Sequence, residues 1–264
     1  MSVGYLANSF DMINVRDLDL IAQARERCSS LLVGVFTDDY VEQHFGRGPV
    51  APLDERIDVV RHIGGVAEAV QHDDSGQVGY GASVLFAEAG SPVTPRENLH
   101  WLTPRTSHGP RQAPGVVDRP GIRDRHPDGV VGYVPGAWDM FHVGHLNILR
   151  RARENCDRLI VGVVTDDALH QVKGKHPVIP LDERMEVVAN LTMVDDVVVD
   201  RSADKLAVWQ EVGFDMVFKG DDWRGTPKGD KLEADMASVG VTVCYFPYTK
   251  DTSSSLRRAQ LSAR

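Results

Sequence analysis

The sequence predicts an α/β fold built twice, as two tandem domains that each hold a parallel sheet with helices on its faces. Three observations predict it. Shifting the chain by 128 residues lays positions 3–72 on 131–200 without a gap, and 31 of these 70 positions are identical, which marks duplication of a structural unit. Each copy alternates short apolar strands with helix-period segments over short links, the pattern of right-handed parallel crossovers. Residues 103–130 hold five prolines and four glycines, the composition of a linker. The expected boundaries are therefore a first domain over 1–102, a linker over 103–129 and a second domain over 130–264.

In the second copy, V-G-Y-V (131–134) reads as a short apolar strand ending in Pro-Gly, and 145–153 has helical periodicity. R-L-I-V-G-V-V (158–164) is a continuous apolar run, as expected of a strand covered on both faces. A helix over 181–191 and a strand over 196–199 follow. Q-V-K-G-K-H (171–176) reads as a loop. Beyond residue 200 come a helix (205–212), a strand (215–219), G-D-D-W, a strand (241–246) and a last helix opening with T-S-S-S. The first copy matches this order up to residue 72 and then blurs, keeping an S-V-L-F strand at 83–86. It reads as a shortened relative of the second.

A formal net charge of -9 argues against general affinity for nucleic acid, whose phosphates demand a basic surface. No apolar run approaches the roughly 20 residues that span a bilayer, and the N-terminus lacks a signal-peptide pattern. Cys28, Cys156 and Cys244 are odd in number and widely spaced, so a reduced, cytoplasmic protein is expected.

The chemistry concentrates in the second copy, where G-A-W-D-M-F-H-V-G-H (136–145) lies at the first strand-to-helix turn. Ligands of parallel α/β sheets bind there, at the carboxyl ends of the strands. Gly144 lets a ligand approach the backbone, and a helix start offers free amides and a positive dipole end to phosphate. His142 and His145 beside it would donate hydrogen bonds to a phosphate gaining charge; without a carboxylate or cysteine in ligand spacing they make a poor zinc site. Gly220, Asp221, Asp222 and Trp223 follow an apolar strand at the same edge. Thr249, Thr252, Ser253 and Ser254 open the last helix, where hydroxyls and amides suit phosphate or a nucleotide edge.

These motifs, in this order, resemble the cytidylyltransferases of the HxGH nucleotidyltransferase superfamily, with a Rossmann-like fold. The resemblance covers residues 130–258, and 3–72 more weakly. It implies transfer of CMP from CTP to a small phosphorylated alcohol, with pyrophosphate released. Glycerol 3-phosphate is the first acceptor implied; phosphoethanolamine, a phosphonate or an ATP-dependent adenylyl transfer is the alternative, and a non-catalytic nucleotide-binding protein the less favoured one. His142 and His145 would hold the α-phosphate and leaving oxygen, and Lys173 and Lys175 would neutralise other phosphates. Gly136, Ala137, Trp138, Gly144, Gly220, Asp221, Asp222, Thr249, Thr252, Ser253 and Ser254 would bind the nucleotide, with Mg2+ screening the triphosphate. The family's usual Arg-Thr-x-Gly-x-Ser-Thr is departed from at Tyr248 and Asp251, and Thr192 stands where relatives often carry arginine.

Internal comparison sorts the rest. Asp139 has Asp11 as its counterpart, Arg184 has Arg56, and Asp166 has Asp38, so Asp139 reads as structural, Arg184 as a packing or interface residue, and Asp166 as structural with contact to substrate as the alternative. His142, Gly144 and His145 become Asn14, Arg16 and Asp17. The first copy should not catalyse. It is expected to act as a built-in partner, the chain forming a pseudo-dimer of its two copies and leaving further association of chains open.

Overall fold

The computed structural model describes residues 2–73, 81–105, 129–202, 204–247, 249 and 252–262, with the side chains of Val172 and Lys173 left out. Most of the proline-rich stretch, together with Tyr248, Lys250 and Asp251, therefore lies outside the described residues.

Two compact units divide the chain: Met1–Gly109 with Ser255–Arg264, and Pro110–Ser254. In the first unit the elements run β1 (Val3–Asn8), α1 (Val15–Arg25), β2 (Ser30–Phe36), α2 (Asp38–Phe45), α3 (Leu53–Arg61), β3 (Glu68–His72), β4 (Val84–Glu88) and β5 (Leu99–Leu102). The second holds β6 (Val131–Gly136), α4 (Val143–Arg153), β7 (Arg158–Val164), α5 (Asp166–Lys173), α6 (Leu181–Ala189), β8 (Asp196–Asp200), α7 (Lys205–Val212), β9 (Met216–Gly220), α8 (Pro227–Ala237) and β10 (Thr242–Phe246). A last helix, α9 (Ser254–Ser262), follows.

Among the described residues each unit forms one five-stranded parallel sheet. Their orders, β3-β2-β1-β4-β5 and β8-β7-β6-β9-β10, are the same topology. The second copy thus has its expected α/β architecture. The first differs from its expected truncation, because it keeps all five strands, including β5, which no expectation covered. What it lacks among the described residues is any helix between β3 and β5, where the second unit has α7 and α8.

Other differences have local causes. Residues 171–173, expected in a loop, end the helix α5, because Thr165 caps the Ala168 amide at its start and Gly174, in the left-handed region, closes it. Lys173 is therefore a helix-terminal residue. Residues 227–237 form α8, with Thr226 as cap and Pro227 at the first helical position. At the C-terminus, Ser255–Arg264 group with the first unit instead of the second domain expected over 130–264. The buried Arg257 explains this, since its guanidinium bonds Val50 O and Glu55 of α3.

The repeated core motif is a tyrosine laid across a glycine. Tyr133 on β6 reaches over Gly162 of β7, where an added Cβ would fall 1.9 Å from its hydroxyl; Tyr5 and Gly34 repeat this at 2.0 Å. Tyr133 donates to Asp200 at 2.9 Å, and Lys205 pairs with the same carboxylate at 2.6 Å. In the first unit the aspartate is His72, whose Nδ1 meets Tyr5 at 3.0 Å. One buried tyrosine thus fixes three strands in each sheet.

Candidate active site

The turn after β6 is built to a demanding conformation. Trp138 and Met140 have φ of 57° and 50°, and Phe10 and Met12 repeat it at 49° and 56°. Non-glycine residues in this region are uncommon and are held there by their surroundings. The surroundings here are Trp138, which donates Nε1–H to Gly162 O at 2.9 Å, and Asp139, which accepts from the Val178 and Ile179 amides at 3.0 Å. Arg184 donates to the carbonyls of Ala137, Val164 and Ile179 and pairs with Asp166 at 2.5 Å. Asp11, Arg56 and Asp38 do the same work in the first unit. The structural reading of Asp139, Arg184 and Asp166 agrees with this geometry.

His142 is the cap of α4. Its Nδ1 accepts from the Gly144 amide at 3.1 Å, so that nitrogen carries a lone pair and Nε2 carries the proton. The rings of His142 and His145 stack with centroids 3.8 Å apart, and Trp138 and Phe141 wall His145 at 5.2 and 5.5 Å. Gly144 is required by this packing, since a Cβ there would stand 2.9 Å from the His142 ring and 3.2 Å from Thr252 Cγ2.

Several expected site residues converge on this turn. Thr252 is 2 % exposed, and its Oγ1 has no hydrogen-bond partner among the described residues. Ser254 donates to Asp139 O at 2.7 Å, and Thr249 accepts from Asn147 of α4 at 3.4 Å. Gly136 lies under the Trp138 ring. Asp221 and Asp222, both exposed, form a single 3-10 turn with Trp223 directly after β9, beside β6 in the sheet. At Ala137 and Trp138, expected to contact the nucleotide, the Ala137 carbonyl accepts from Arg184 and the Trp138 Nε1–H donates to Gly162 O, bonds that shape the turn. Lys175 stands exposed between α5 and α6, and the Lys173 side chain lies outside the described residues.

One cation at this edge, Lys219, is not among the residues expected from the sequence. Lys219, next to last in β9, places its Nζ 4.3 Å from the Trp223 ring centre and 3.4 Å from Pro135 O. It was hidden because a lysine ending an apolar strand reads as a solvated strand end.

The first unit closes the equivalent place. Asn14 accepts from the Arg16 amide at 2.9 Å and Asp17 accepts from the Asn14 amide at 3.2 Å, a reciprocal capping box that takes the Asn14, Arg16 and Asp17 amides. Arg16 then bridges to Glu88, at the end of β4, at 2.6 Å. Burial lifts the Asp17 carboxyl to about 7, against the bond from the Asn14 amide, with Glu88 adding to the rise.

A family model described as cytidylyltransferase-like matches residues 133–260. Ethanolamine-phosphate cytidylyltransferase of Arabidopsis thaliana is 26% identical over an alignment of 340 positions that covers 96% of this chain and 79% of the relative. FAD synthase of Thermococcus sibiricus is 31% identical over 114 residues, 43% of this chain and 77% of the relative. The bifunctional protein HldE of Granulibacter bethesdensis is 40% identical over 95 residues, and the chain spans only 20% of its length.

Proposed function

Because the chain belongs to the cytidylyltransferase-like family, we propose that it transfers CMP from CTP to a small phosphorylated alcohol, glycerol 3-phosphate first among candidates. The observation that carries this reading is the His142–Gly144–His145 turn. It sets two stacked imidazoles and a glycine at a helix start, over the strand ends where such sheets bind ligands.

In the proposed step an acceptor phosphate oxygen attacks the α-phosphorus in line. A new P–O bond forms, the bond to the bridging α,β-oxygen breaks, and pyrophosphate leaves with that electron pair. No covalent enzyme intermediate is needed, so catalysis rests on position and charge. His142 offers Nε2–H to the phosphate oxygens, because its Nδ1 is committed to Gly144. Thr252 Oγ1 and Ser253 would meet the nucleotide, and Lys173 and Lys175 would meet further phosphate charge. Mg2+ characteristically takes one or two carboxylates plus substrate phosphates, and the exposed Asp221 and Asp222 suit that role. When bound, the ion would screen the triphosphate charge.

The test is pyrophosphate release with CTP and then ATP, each against glycerol 3-phosphate, phosphoethanolamine and hydroxyethylphosphonate. Release with CTP and one acceptor is expected. ATP is the second reading, motivated by Tyr248 and Asp251 in the segment where the family carries arginine and glycine. Release with ATP alone would replace the donor, and silence with every pair would overturn the transferase reading for these acceptors.

A further inference from the structure

Lys219 stands at the junction of β6 and β9, where the strand order departs from sequence order. The ladder pairs Tyr133 with Val217, so Pro135 and Lys219 stand level two residues further on, and the ammonium reaches across to Pro135 O. Trp223, on the turn after β9, covers the lysine with its ring face, an attraction that holds an ammonium in place. A partly buried cation is thus held at the crevice where parallel sheets bind ligands.

Internal comparison shows that the fold does not need it. The ladders set Gly4 beside Val84 and Gly132 beside Met216, so the counterpart of Lys219 is Ala87, which is 0% exposed. Counting on, Trp223 corresponds to Ser91, and Pro135 corresponds to Ala7. The first sheet closes with these small residues while keeping the same topology and the same tyrosine across glycine. The copy that lost both imidazoles also lost the lysine, its ring and its carbonyl partner's proline.

We infer that Lys219 is a further substrate-binding residue of this site, donating to phosphate oxygens of the nucleoside triphosphate from its station beside Trp223. The assignment rests on the transferase reading above and adds a cation to it. A held ammonium gives a charge-assisted bond to phosphate without the cost of ordering a free side chain.

The test is a titration of tryptophan fluorescence with CTP in the absence of acceptor, on the full chain and on K219M, K219R and W223F. Addition of CTP should change the wild-type emission, and W223F should lose that change. K219M should bind CTP and inorganic tripolyphosphate at least tenfold more weakly and raise KM to match, with kcat altered less than threefold. K219R should recover most of the affinity. K219M binding CTP within twofold of wild type would overturn the assignment. So would a loss confined to CTP and absent with tripolyphosphate, or K219M and K219R equally weak with equally lowered melting temperatures. Wild type that binds neither CTP nor ATP would overturn the transferase reading itself, and this assignment with it.

Discussion

His142 has one observed role, the Nδ1 cap, and one proposed role, the Nε2–H donor, and the first copy suggests how to separate them. Nδ1 caps α4, as the Asn14 side chain caps α1, while the shorter Asn14 amide turns its Nδ2–H back to Met12 O and does not extend to where Nε2–H stands. H142N should therefore keep the cap and lose turnover by at least ~10²-fold, the scale of removing one donor from a transition-state oxyanion. H142A should lose the same turnover and roughly 1 kcal/mol of stability besides, the usual worth of a cap. Turnover and urea midpoints of the two variants check both claims. Asp17, in the place of His145, makes the opposite kind of prediction. Its folded pKa of about 7 lies above the ordinary 3.8, so its protonated form is favoured by folding. The stability it contributes is full below about 4 and is lost as pH rises through about 7. Relative to D17N, wild type should therefore weaken steadily between those values, and parallel stability–pH curves would refute this.

At the scale of elements, the turn that carries His142 and His145 is clamped by parts far along the chain. Asp139 ties it to the strap before α6, and Arg184 ties α6 to the ends of β6 and β7. R184M leaves three carbonyls unsatisfied at a site 1% exposed, and should cost about 3 kcal/mol at ~1 kcal/mol or more for each orphaned group. A urea midpoint unchanged within error would contradict that role. This clamp was legible in the sequence because it is written twice: Leu-Asp-Glu-Arg and the Asp-Met pair survive in the copy without histidines. The strands were legible for a different reason, since apolar runs such as R-L-I-V-G-V-V have few other uses. The α5 helix was not, because His170, Gln171 and Lys173 leave only a thin apolar stripe and Gly174 follows at once; its caps decide it. Lys219 escaped for a related reason. Its meaning comes from Pro135 and Trp223, and the sheet register that sets Pro135 beside it cannot be read along one strand.

For the whole chain, duplication raises the question of how many nucleotides it binds, and the first unit answers it from its own residues. The capping box takes the amides of Asn14, Arg16 and Asp17, Arg16 stands in the place of Gly144, and Glu88 holds that arginine across the strand ends. A triphosphate would have to break the capping box, part an ion pair and lie against carboxylates of its own sign. Calorimetry with CTP should accordingly give one site per chain, and two sites of comparable affinity would refute the closure. Restoring the motif alone should not reopen it. N14H, R16G and D17H together, placed on an H142N background, rebuild the imidazole pair but leave Ala87 where the second unit has Lys219, and Glu88 at the strand end where it has Gly220. That chain is expected to stay without turnover, because the pair supplies donors to a phosphate that the rest of the unit no longer holds. Turnover regained in this variant would mean that the two histidines suffice, and that the strand-end residues contribute less than their loss from the first copy suggests.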